Sequence, residues 1–115
     1  MGKSILAVED EFLILEYLAD ILTEAGFDVV TAMNADVAIE ILEERPDIFA
    51  LVTDIDMPGS MDGLKLAAAV RDRWPPIHVV ITTGKNIGRG TPPNTHFIPK
   101  PYTATGLLKV LHGLH

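Results

Sequence analysis

Two short apolar runs that end abruptly on acids constrain this chain more than any other feature. Ser4–Val8 (SILAV) runs into Glu9-Asp10-Glu11, and Ile48–Thr53 runs into Asp54 and Asp56. A strand buried on both faces reads as a continuous apolar stretch and turns polar where its carboxyl end reaches solvent. Between these runs the period changes to that of a helix. From Asp10 to Ala25 the apolar residues Ile14, Leu18, Ile21, Leu22 and Ala25 recur at three- and four-residue spacing, and Gly26 supplies the stop. Asp28–Ala32 (DVVTA) reads as a second strand, and Asn34 can cap a helix bearing Val37, Ala38, Ile41 and Leu42 that ends before Arg45-Pro46.

The alternation continues. After the turn-rich Pro58-Gly59-Ser60, Asp62 is placed to cap a helix with Leu64, Leu66, Ala67, Ala68 and Val70, broken by Trp74-Pro75-Pro76. Ile77–Thr82 is a fourth strand, His96–Pro99 a fifth, and Thr103–Leu114 a last helix with Leu107, Leu108 and Leu111 on one stripe. Gly84 to Thr95 breaks the pattern. Gly84, Gly88, Gly90, Pro92 and Pro93 leave Ile87 as the one apolar anchor, so the segment is expected to be mostly loop, the most mobile part of the chain, with its helix short or absent. Five strands alternating with helices through right-handed crossovers give an α/β parallel sheet covered on both faces. At 115 residues and 48% hydrophobic the chain reads as one domain, 1–115.

In such a sheet the functional crevice lies beyond the carboxyl ends of the strands, and the notable polar residues fall there. Glu9 and Asp10 follow strand one, Asp54 ends strand three, Thr83 ends strand four, and Lys100 follows strand five. The fold thus gathers carboxylates, a hydroxyl and an ammonium from distant parts of the chain. Zero cysteines exclude thiolate nucleophiles, disulfides and cysteine-ligated metals, and the four histidines have no ligand spacing. All-oxygen donors suit a hard cation, and this number of carboxylates fits Mg2+. Beside it Asp54 could attack a phosphoryl donor to form an aspartyl phosphate, with Lys100 and Thr83 holding phosphate oxygens.

Val8-Glu9-Asp10-Glu11, Thr53-Asp54-Ile55-Asp56-Met57-Pro58-Gly59, Met61-Asp62-Gly63, Thr82-Thr83-Gly84 and Lys100-Pro101-Tyr102 together resemble the receiver domain of two-component response regulators. The motifs span the chain in order, and five at this spacing are specific where one alone is weak. The resemblance implies a flavodoxin-like doubly wound sheet in the order 2-1-3-4-5. It implies that Asp54 accepts a phosphoryl group from a phosphohistidine on a sensor histidine kinase or histidine phosphotransfer protein. Mg2+ would be held by Glu9, Asp10, Asp54 and the main-chain carbonyl of Asp56. Thr83 and Phe97 would form the switch pair, and the Lys100-Pro101 bond would be cis. The charged positions Asp56 and Lys85 would flank the mouth, where they could gate the approach of water to the acyl phosphate, the alternative being that Asp56 orients the attacking water.

A different class of function shares one motif. Asp54-Ile55-Asp56 has the Asp-x-Asp spacing of haloacid dehalogenase phosphohydrolases, but that superfamily places it after its first core strand and needs a longer chain. A phosphorylation-independent pseudo-receiver is disfavoured because the acidic, hydroxyl and lysine set is complete. The expected protein is therefore a signalling switch that turns over no external substrate. The formal charge of −7 opposes nucleic-acid contact, and the first apolar run is too short for a membrane span or signal peptide, so the cytoplasm is the expected compartment. Phe12-Leu13-Ile14-Leu15 cannot all face the sheet, so some should be exposed beside the acids as a partner surface. A deficient fourth helix implies a monomer or weak dimer.

Overall fold

In a computed structural model of the chain, residues 2–55, 62–84 and 94–114 are described. Each apolar run forms a strand: β1 (Ser4–Val8), β2 (Asp28–Ala32), β3 (Ala50–Asp54), β4 (His78–Thr83) and β5 (Thr95–Pro99). All pair in parallel in the order β2-β1-β3-β4-β5. The helices are α1 (Phe12–Glu24), α2 (Ala35–Glu44), α3 (Gly63–Arg73) and α4 (Ala104–His112). The expected flavodoxin-like topology is thus present. The expected mobility and missing helix fall on 85–93, which lie outside the described residues, as does the monomer-or-weak-dimer reading built on them.

Strand alternation divides the core into two layers, because successive side chains leave opposite faces of the sheet. Leu6, Val8, Leu51, Val79 and Ile81 pack under α2 and α3 with Ala38, Leu42, Leu66 and Val70. Ile5, Ala7, Val52, Val80 and Ile98 pack under α1 and α4 with Leu18, Leu22, Leu107 and Leu111. Burial on both faces explains why β1, β3 and β4 read as unbroken apolar runs.

The element boundaries differ from the sequence reading by one or two residues, each for a local reason. β3 begins at Ala50 rather than Ile48, because the Ile48 amide closes a turn onto the Arg45 carbonyl at 3.3 Å. β4 is displaced one residue later, to His78–Thr83, since the Ile77 amide bonds the Trp74 carbonyl at 3.0 Å. Thr95, read as loop, opens β5. α1 starts at Phe12, two residues after Asp10, with Glu11 at the cap in extended geometry. Asn34 and Asp62 cap α2 and α3 as read, accepting from the Val37 and Lys65 amides at 2.9 Å each. The last helix stops at His112, short of Leu114. Leu64 and Val37, read as apolar members of their helices, are exposed.

β5 is an edge strand, and its His96 is half-buried with its ring centroid 6.5 Å from that of His78. Burial first, and the charge of His78 second, hold the His96 imidazole below its ordinary value of 6.5. The fold favours neutral His96, so the stability tied to it is complete above 6.5 and is lost as the pH falls below that value. The unfolding midpoint of a His96→Gln variant should therefore fall less steeply than that of the wild type on acidification below pH 6.5, as read by thermal denaturation.

Candidate functional site

The register of the sheet sets the acids side by side. Val8 pairs with Thr53, so the next residues, Glu9 and Asp54, adjoin at the carboxyl edge between β1 and β3, where the strand order reverses. Glu9 is anchored by its amide on the Ala32 carbonyl at 3.1 Å and is buried, as is Asp54. A carboxylate oxygen from each of Glu9, Asp10 and Asp54 lies within 4.8 Å of the others, and no ion is included in the structure. The Lys100 ammonium reaches into this group and stands 2.9 Å from Asp54 Oδ1. Lys100 is fixed by its amide on the Thr83 carbonyl at 2.7 Å and is followed by a cis bond to Pro101.

The electrostatics follow from crowding. Burial is the main influence pushing the Glu9 carboxyl up to about 7, reinforced by the Asp10 hydrogen bond and the Asp54 charge. The Glu11 amide, donating to Glu9 Oε1 at 3.2 Å, and the Lys100 charge act in the opposite direction. Burial likewise raises the Tyr102 phenol, with the Glu9 charge adding to it. Thr83 is buried at the end of β4, and the pairing of Ile81 with Phe97 and of Thr83 with Pro99 makes Thr83 and Phe97 diagonal neighbours on one face of the sheet. Asp56 and Lys85 lie outside the described residues, and with them the fourth metal ligand and the gate.

Sequence reasoning missed Gly63 as a residue of the site. A Cβ there would lie 2.1 Å from the Asp54 carbonyl oxygen and 2.8 Å from Ile55 Cα. Its amide donates to the Ile55 carbonyl at 3.0 Å, so the first turn of α3 rests against the main chain of Asp54. The Asp62-Gly63 motif carried the signal, but a capping aspartate explained it without a reason for the glycine.

The 2-1-3-4-5 sheet with a lysine-paired aspartate among further acids at its reversal point defines a flavodoxin-like doubly wound domain with an acidic switch-point site. The chain belongs to the response regulator receiver domain family, whose model matches residues 5–112. It is 35% identical over 120 aligned positions to the nitrogen assimilation regulatory protein NtrX of Azorhizobium caulinodans, covering 96% of this chain and 25% of that protein. It is 30% identical over 116 positions to the response regulator protein FleR of Pseudomonas aeruginosa, covering 96% and 24%. Among solved structures, the receiver domain of the hybrid histidine kinase CckA superimposes with a TM-score of 0.83 at 29% identity, covering 95% of each chain. The chain thus spans about a quarter of the length of these two curated relatives. Among the described residues no helix is long and apolar enough to cross a membrane.

Gly63→Ala should destabilise the fold by about 1 to 3 kcal/mol, because the methyl group must displace main chain rather than a flexible side chain. Gly113→Ala, whose Cβ would meet only carbonyl oxygens at 3.5 Å, should change stability by less than about 1 kcal/mol. Urea denaturation of the two variants makes the comparison.

Proposed function

We propose that this domain is a phosphoryl-accepting switch of a two-component phosphorelay in which Asp54 takes its group from a phosphohistidine on a sensor histidine kinase or histidine phosphotransfer protein. The observation that carries the reading is the buried Asp54 carboxylate, 2.9 Å from the Lys100 ammonium and grouped with Glu9 and Asp10. In the transfer, an Asp54 oxygen forms a bond to phosphorus as the phosphorus–nitrogen bond of the donor breaks. The electron pair of that bond stays on the imidazole, and the product is an acyl phosphate. Lys100 pairs with Asp54 beforehand and then offers its ammonium to a phosphoryl oxygen, while the Thr83 hydroxyl holds another.

The donor set fits Mg2+. Three clustered carboxylates, with Glu9 raised by burial first and by the Asp10 hydrogen bond and the Asp54 charge after it, are a donor set that a hard cation stabilises. Glu9, Asp10 and Asp54, with the carbonyl of Asp56, would hold it, and its charge when bound would offset that of the phosphoryl oxygens. Thr83 engaged by the phosphoryl group would then draw Phe97 inward, the relay to the β4–β5 surface. The phosphoryl group stays on the protein until water removes it, so no external substrate is turned over. The domain works in the cytoplasm, where such donors are found.

Six large apolar side chains are exposed among the described residues: Phe12, Leu13, Tyr17, Met33, Val37 and Leu64. Phe12, Leu13, Met33, Val37 and Leu64 lie at or near the starts of α1, α2 and α3, and Tyr17 lies further along α1. Leu13 is 76% exposed and Phe12 58%, while Leu15 is buried, which divides the four-residue apolar run as helical geometry requires. We assign the α1 members, with the adjoining groove between Tyr17, Pro101 and Tyr102, to partner docking.

With Mg2+ and acetyl phosphate the protein should gain one phosphoryl group, mapped by mass spectrometry to Asp54 and absent with EDTA or in Asp54→Asn. Leu13→Glu should retain this labelling and lose transfer from a phosphorylated kinase by about tenfold or more. Labelling of Asp54→Asn would overturn the assignment, and equal loss of both activities in Leu13→Glu would overturn the docking surface.

A further inference from the structure

The opposite end of the sheet carries a groove of about 640 Å3, a volume within the usual range for small-molecule sites. It opens at the amino ends of β1, β3 and β4, away from the acids. Two aromatic residues are among those that line it, Phe49 from the layer under α1 and α4 and Trp74 from the layer under α2 and α3. Each ring carries a cation: the Lys3 ammonium lies 4.1 Å from the Phe49 centroid, and the Arg73 guanidinium 4.3 Å from that of Trp74.

The charge of this groove runs against that of the chain. Its one lining acid, Asp47, is bonded at both carboxylate oxygens by Arg45, at 3.4 and 2.9 Å. Arg73 spends one nitrogen on Glu43 at 2.9 Å and, among the described residues, keeps the rest of its donors. Lys3 makes no ion pair among the described residues. The main chain of both aromatic residues is already bonded. The Phe49 amide donates to the Ser4 carbonyl at 2.8 Å, and the Trp74 amide to that of Val70 at 2.7 Å. A ligand therefore meets a formed surface and orders little on entering.

We propose that this groove is a binding site for a small aromatic anion, a flat ring bearing a carboxylate or sulfonate. The ring would lie against Phe49 and Trp74, and its charge would be met by Lys3 and Arg73. The site is remote from Asp54 and stands whether or not Asp54 is a phosphoacceptor.

Trp74 is the chain's single tryptophan, so its emission reports on the groove directly. The probe is anilinonaphthalenesulfonate, with uncharged N-phenylnaphthylamine as its partner in the comparison. The sulfonate should quench Trp74 saturably with one equivalent bound. Lys3→Gln, Arg73→Gln and removal of the probe's charge should each weaken binding about tenfold, whereas Leu13→Ser at the far end should leave it unchanged. Amide spectra of the two charge variants check that the fold is intact. Absence of saturable quenching, equal affinity for the uncharged probe, unchanged affinity in both charge variants, or loss of binding in Leu13→Ser would each overturn the proposal.

Discussion

Carboxylates crowded at a partly desolvated edge oppose one another's charge, and among the described residues the cation that meets them is Lys100. Its ammonium stands 2.9 Å from Asp54, with Glu9 and Asp10 grouped around the same point. Much of the architecture can be traced to making that contact. Parallel pairing in register brings Glu9 beside Asp54, and the edge strand β5, two positions beyond β3 in the sheet order, delivers Lys100. The Lys100 amide is fastened to the Thr83 carbonyl. The Glu9 carboxyl is raised to about 7 all the same, by burial first and by the Asp10 hydrogen bond and the Asp54 charge after it.

The strands and their order of appearance were legible because burial on both faces leaves a strong trace: SILAV, ALVT and HVVIT contain almost nothing polar. Their ends were less so. Ile48 and Ile77 belong by composition to the strands that follow them, yet turn hydrogen bonds to Arg45 and Trp74 hold both outside. The gathering of Glu9, Asp10, Asp54 and Lys100 was legible from topology, because every such residue follows or ends a strand. Their mutual distances are tertiary facts with no local signature. Gly63 shows the same limit: the close approach of its Cα to the Asp54 main chain depends on where α3 lands, which no residue of α3 encodes by itself.

The two ends of the sheet have different surfaces. At the carboxyl edge lie the acids and the exposed apolar side chains near the starts of α1, α2 and α3, a collar suited to contact with another protein. At the amino edge the aromatic residues Phe49 and Trp74 are overlaid by cations and flank a groove. In the sequence Phe49 reads only as a strand residue, Trp74 only as part of a helix break, and Lys3 precedes the first strand. Their convergence arises from loops that lie far apart in the chain, and so escaped a reading based on strand ends.

The central claim is that Asp54, Lys100 and the neighbouring acids form one phosphoryl site. Its most direct test is an amide spectrum recorded while a beryllofluoride mimic of the phosphoryl group is added with and without Mg2+. The account predicts a stoichiometric, Mg2+-dependent change centred on Glu9, Asp10, Asp54, Thr83 and Lys100 that extends to Phe97 and is lost in Asp54→Asn. A spectrum that does not change, or one that changes equally without Mg2+ or in Asp54→Asn, would contradict it.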